Sequence, residues 1–179
     1  MNLEVKRITI DEIRLDTNAN QNAASHPENS AWVAANAGTG KTHVLTLRVL
    51  RLLLAGTRPE RILCLTFTKA AAAEMSKRVF DRLASWVTMN DEALRADLRT
   101  VTASEPSGDL LARARTLFAH AIETPGGLKV QTIHAFAERL LQRFPIEAGV
   151  APDFKILDDV AAGDLKADAI EAVLTRATA

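Results

Sequence analysis

The chain has 179 residues, 47% of them hydrophobic, with 22 basic and 22 acidic side chains that cancel. That size predicts about one domain with a real core, burying roughly 70% of the unfolded surface. The charge balance excludes a polybasic tail but leaves room for a local basic groove, and the single cysteine excludes a disulfide framework or a zinc set. No apolar run approaches the ~20 residues of a membrane span, and the mixed, charged N-terminus is no signal peptide, so a cytoplasmic protein is expected.

In chain order, residues 1–15 give no clear pattern. Residues 16–30 are polar and rich in turn formers, with room for one short helix. Residues 31–35, Ala-Trp-Val-Ala-Ala, read as a short buried strand with Trp32 in the core. Residues 41–55 read as a helix ended by Gly56. A second strand follows over 61–67, after the turn signal of Thr57 to Glu60. Its Cys64 lies in an apolar run and reads as a buried, inert thiol. An alanine-rich helix is predicted over about 69–88, burying Met75, Val79, Leu83 and Val87, with Phe80 beside them and Trp86 as further core.

Two amphipathic helices follow within 89–127. Leu94, Leu98 and Val101 mark the first, and Leu110, Ala114, Leu117, Phe118 and Ile122 the second, which stops before Gly126 and Gly127. Residues 128–132 form a strand candidate, and Ile133, Phe136, Leu140, Leu141 and Phe144 have helical spacing up to Pro145. A strand at 154–157 and a helix from about Asp158 complete the reading. This order predicts an α/β fold, a parallel sheet flanked by helices with a helical insertion.

The seam between the first strand and its helix, A-N-A-G-T-G-K-T-H over residues 35–43, carries the chemistry. Gly38 and Gly40 can take positive φ and let an anion approach the backbone. The helix that starts near Lys41 favours negative charge at its N-terminus. Lys41 would reach the β- and γ-phosphates of a nucleotide and the Thr42 hydroxyl would hold Mg²⁺. Ala35 stands where the usual phosphate loop has its first glycine. The loop says nucleotide and leaves the function open.

Three further stretches narrow it: Gln21 with Asn22, Ala23, Ala24 and Pro27; L-T-F-T-K-A-A-A-A-E-M over 65–75; and V-Q-T-I-H-A-F-A-E-R-L-L over 130–141. With the phosphate loop, and in this order, they resemble the superfamily 1 DNA helicases of the UvrD/Rep/RecB type, nearest the AddA helicase–nuclease branch. The likeness covers most of residues 16–160. It implies a RecA-like P-loop NTPase fold, incomplete here, using ATP and Mg²⁺ on single-stranded and double-stranded DNA beside an AddB-like partner subunit. Gln21 would read adenine. Ala37, Gly38, Thr39, Gly40, Lys41, Thr42 and His43 would form the nucleotide cradle. Thr66, Phe67, Thr68 and Lys69 would touch single-stranded DNA, as would Thr132, His134 and Phe136. His43 stands where many relatives carry arginine, Lys69 and Ala70 replace an Asn-Lys pair, and the stretch between the two DNA motifs is longer.

The resemblance divides the chain into an N-terminal segment (1–15), the phosphate-loop part of a motor domain (16–88), a helical insertion (89–127), the second DNA motif and its helix (128–150), and the start of a helical subdomain (151–179). It places the acidic pair, the arginines, the second motor domain and the nuclease beyond Ala179, so the chain reads as an N-terminal fragment without turnover of its own. Each aromatic also has a plain structural reading: Phe67 follows a buried strand, Phe136 lies on the stripe with Ile133 and Leu140, and His134 opens a helix. The alternative is a small, complete P-loop protein or kinase using Asp158 and Asp159 for Mg²⁺, although Lys155 interrupts their strand.

Overall fold

The computed structural model describes residues 10–34, 36 and 38–177, giving the backbone alone for 10–15 and 159. Two units part after Ile133. In the first, α1 (Ile10–Ala24) precedes the phosphate-loop segment and α2 (Lys41–Leu54). A 3₁₀ turn (Pro59–Arg61) leads into β1 (Leu63–Thr66), then α3 (Lys69–Thr88), α4 (Asp91–Thr102), α5 (Gly108–Glu123) and β2 (Lys129–Thr132). Helix α6 (Ile133–Arg143) begins at the division, and α7 (Asp159–Ala177) follows in the second unit. Among the described residues no helix is long and apolar enough to cross a membrane.

Strands β1 and β2 pair in parallel, Leu63 against Lys129 through Thr66 against Thr132. Helices α3, α4 and α5 fill the crossover that parallel strands require. The helix ends are written locally. Thr68, Asn90 and Ser107 cap α3, α4 and α5 by accepting from the N–H groups of Ala71, Ala93 and Leu110. Gly56, at φ 92°, closes α2 with the paired bonds Gly56 N to Leu53 O and Thr57 N to Leu52 O.

The core of this unit gathers Leu50 and Leu53 of α2, Met75, Val79, Leu83 and Trp86 of α3, Leu94, Leu98 and Val101 of α4, and Ala114 of α5. Val87, expected inside, is 45% exposed, and Trp86 takes its place. A step of four residues rotates about 40° past a full turn of a 3.6-residue helix, so the fourth member of the row drifts off the buried face. Position 86 lies seven residues after Val79 and returns to it.

The helix allowed within 16–30 is present as the end of α1, which begins earlier, at Ile10, and runs to Ala24. Two other expectations are corrected. Residues 31–34 form no strand, Ala35 lies outside the described residues, and Trp32 is 95% exposed rather than core. Residues 154–157 form no strand, and Ile156 and Leu157 are exposed. A strand needs a neighbour to satisfy its N–H and C=O groups. Among the described residues the sheet holds only β1 and β2.

Candidate nucleotide site and nucleic-acid face

Glycine sets the loop. Gly38 at φ 80° and Gly40 at φ 86° both take the left-handed conformation that side chains oppose. Gly40 is the N-cap of α2, which has no side-chain cap and no acidic residue in its first turn. The positive end of a 14-residue helix therefore stays open to an anion.

Around that end, the carbonyl of Asn36 accepts from Lys41 Nζ and from Thr39 Oγ1, the latter at 2.7 Å. The lysine is thus folded back over the loop, and it and the loop amides are donors that a phosphate could accept from together. Gln21, on the last turn of α1, lies directly across from Gly40. A Cβ added to Gly40 would stand 3.2 Å from Gln21 Nε2. Beside them opens a cleft of about 820 Å³ lined by Asn20, Gln21, Trp32, Thr39 and Lys41. An uncapped helix end, a cation and a carboxamide in one cleft fit the phosphates and base of a nucleotide.

The remaining expected residues divide. Thr42 is exposed on the first turn of α2. Ala37 lies outside the described residues. His43 faces away from the Gln21 cleft, into a second one of about 340 Å³ with Thr46, Arg78, Asp81 and Arg82. For Mg²⁺, Thr42 offers one hydroxyl, and among the described residues no cluster of three or more His, Cys, Asp or Glu gathers to complete a site. Asp158 is already engaged as an acceptor for Ala161 N at 2.8 Å, where it caps α7.

At the end of β1, Phe67 is 85% exposed and Lys69 is exposed beside it. The two neighbouring hydroxyls are occupied. Thr66 Oγ1 donates to Thr68 O at 3.0 Å, and Thr68 Oγ1 accepts from Ala71 N at 3.1 Å. They shape the turn that presents Phe67. Thr132, opposite Thr66 in the ladder, is buried. In the second unit His134 is exposed on the first turn of α6 and Phe136 is half-buried.

Sequence reading missed Asn36, whose contribution is a backbone carbonyl and leaves no side-chain signature. It also missed Arg48 and Arg51. Their signal was present: two arginines three apart on the second half of a helix that is otherwise apolar from Leu47 to Leu54, with Arg51 only 7% exposed. Burial lowers the pKa of Arg51 and raises that of the Cys64 thiol to about 11. Neither residue lines the cleft.

Comparison with known proteins gives the chain's family. The family model described as UvrD/REP helicase N-terminal domain matches residues 16–178. Three bacterial proteins similar to the chain each bear the name of the AddA component of an ATP-dependent helicase/nuclease. That of Desulforudis audaxviator is 35% identical over 147 residues, covering 80% of this chain and 10% of that protein. That of Pelotomaculum thermopropionicum is 33% identical over 147 residues, again 80% of this chain and 10% of that protein. That of Latilactobacillus sakei is 31% identical over 154 residues, 86% of this chain and 15% of that protein. The chain thus spans only 10 to 15% of the length of these relatives.

Proposed function

Because the chain belongs to the UvrD/REP helicase N-terminal domain family, we propose that it is the nucleotide-binding front of an ATP-dependent DNA helicase with a nuclease, acting in double-strand break repair. The observation that carries this reading is that Gln21 lies against Gly40 and lines one cleft with Lys41 at the open end of α2. Strands β1 and β2 are then two members of a larger RecA-like parallel sheet. Residues 16–88 and 128–150 belong to that motor domain, 89–127 are an insertion in it, and 151–179 begin a helical subdomain.

Bound ATP with Mg²⁺ supplies the phosphoanhydride whose hydrolysis drives movement along single-stranded DNA and opening of the duplex. The chain's own residues hold it. Gln21 donates to and accepts from the adenine edge. The loop amides at 37–40 and the end of α2 bind phosphate oxygens, with Thr39 bracing the loop through Asn36 O. Lys41 exchanges that same carbonyl for the β- and γ-phosphates, and Thr42 gives its hydroxyl to Mg²⁺. His43 borders the site from its own cleft.

On the DNA side, Phe67 stacks on a base and Lys69 pairs with a phosphate, while Thr66 and Thr68 hold the turn. Thr132, His134 and Phe136 form the second contact, Thr132 from within the strand. An AddB-like protein is the partner in the whole assembly, whose place of work is the bacterial cytoplasm, where its DNA lies. The rival Mg²⁺ site at Asp158 and Asp159 loses its appeal because the Asp158 carboxylate is committed to a helix cap.

Replacing Lys41 by alanine in the full-length protein tests the reading. Loss of DNA-stimulated ATP hydrolysis and unwinding is expected. Activity at the wild-type level would overturn the phosphate-loop assignment.

A further inference from the structure

The carboxamide of Gln21 has to be held still to read a base, yet it sits on the last turn of α1, next to a loop. Backbone carbonyls at a helix end have no intrahelical partners. Here they are answered by the phosphate-loop helix itself. Arg48 Nη1 donates to His26 O at 2.7 Å and more weakly to Ala24 O at 3.3 Å. Its Nη2 donates to Asn29 O at 2.6 Å and, at 3.5 Å, approaches Pro27 O. One turn on, Arg51 Nη2 donates to Asn22 Oδ1 at 2.7 Å and Nη1 to Asn22 O at 3.0 Å. Arg51 Nε reaches back to Val101 O at the end of α4.

These acceptors are uncharged. A buried guanidinium without a carboxylate is costly to desolvate, and a hydrophobic residue of similar size would pack α2 at least as well. What only the planar fork does is fix two donors on one short stretch of backbone at once. That stretch begins at the residue after Gln21. Gln21 itself is tied by the fully buried Ser25, whose Oγ and N donate to Gln21 O at 2.7 and 3.0 Å.

We propose that Arg48 and Arg51 are the positioning residues for base recognition: they clamp residues 22–29 onto the phosphate-loop helix and so hold the Gln21 carboxamide over Gly40. The proposal rests on the reading of Gln21 as the adenine-contacting residue and adds what makes that contact selective. Base and phosphate ends of the nucleotide are then registered on a single rigid element, α2, rather than on two that move independently.

The test compares ATP with inosine triphosphate, which presents an oxygen in place of the 6-amino group, in the full-length protein. DNA-stimulated hydrolysis is measured for wild type, Gln21→Ala, Arg48→Met, Arg51→Met and Arg51→Lys. Gln21→Ala is expected to erase the preference for ATP. Arg48→Met and Arg51→Met are expected to reduce it by about tenfold, read in KM rather than kcat, because a buried hydrogen-bond partner is misplaced rather than removed. Arg51→Lys should fail to restore it, having lost the fork. If Gln21→Ala loses the preference while both methionine variants keep it, or raise KM for both nucleotides alike, the positioning role is overturned. If Gln21→Ala keeps the preference, the reading of Gln21 fails and this proposal with it. Should Arg51→Met not fold, the half-exposed Arg48 carries the same comparison.

Discussion

Gln21 and Gly40 lie so close that a methyl group on the glycine would sit 3.2 Å from Gln21 Nε2, tight enough that the carboxamide would have to shift. Gly40→Ala therefore meets two costs. At φ 86° the new residue would be held in the left-handed region, a strain of about 1–2 kcal/mol. The flexible carboxamide can swing away to relieve the contact, but only by leaving its place over the loop. We expect a lowered melting temperature and a loss of nucleotide affinity beyond what the strain explains. Nucleotide titration of the folded variant checks it; wild-type affinity would show that the Gln21 position is irrelevant to binding.

Inside the helical layer, Asp97 serves two donors. Its Oδ2 accepts from Trp86 Nε1 at 2.6 Å and from Arg82 Nε at 2.8 Å, and its Oδ1 lies 2.7 Å from Arg82 Nη2. Trp86 is fully buried, so its N–H has no recourse to water. Asp97→Ala should destabilise the chain by about 1–3 kcal/mol, the cost of an unsatisfied buried donor. Asp97→Asn keeps an acceptor for the indole and should lose less. Urea unfolding of both variants decides, and equal losses would show that charge rather than the indole bond is what matters.

Much of the helical layer was readable because the rules that make it are local. The caps of α3 and α4 and the glycine after α2 act over a few residues. So does the apolar row of α4, which follows the helix period. Residues 31–34 and 154–157 were misread for the opposite reason. A short apolar run becomes a strand only when a neighbour accepts its hydrogen bonds, and that neighbour is not written in the run. The site shows the same divide. The spacing of Gly38, Gly40 and Lys41 predicts a glycine-set turn into a helix, and both glycines do take positive φ just ahead of α2. The pairing of Gln21 with that loop was legible only through resemblance. Arg48 and Arg51 stood out by position, but their roles did not, because apart from the Asn22 side chain their partners are backbone carbonyls 19 to 50 residues away, which any sequence could supply.

Cys64 gives a prediction with a definite sign. Burial in β1 pushes its thiol from an ordinary value of 9.0 up to about 11. The folded state thus binds the proton more tightly than the unfolded one. The stability this contributes is fully present below about pH 9 and is lost as pH rises through about 11. Alkylation should be far slower in the folded chain than in urea at about pH 8, because both exposure and thiolate are scarce. Equal rates would mean that β1 opens readily. Cys64→Ser should remove the alkaline component of the stability profile.

Phe67 separates two uses of the same face. It is 85% exposed, follows Thr66 at the end of β1, and is held out by the hydroxyl bonds of Thr66 and Thr68. An aromatic left in water contributes little to the fold, so Phe67→Ala should leave the melting temperature within about a degree or two, as surface changes do. If it stacks on a base, the same change should weaken single-stranded DNA binding by about 1–3 kcal/mol, roughly five- to 150-fold. Thr68→Ala should instead cost about 1 kcal/mol of stability through the lost cap of α3. Fluorescence anisotropy with a labelled oligonucleotide, on protein shown to be folded, distinguishes them. Unchanged affinity with a gain in solubility would mean that Phe67, with the half-exposed Leu63 and Leu65, belongs to a surface another part of the protein covers. A large loss of affinity with no loss of stability would place the DNA strand at the end of β1.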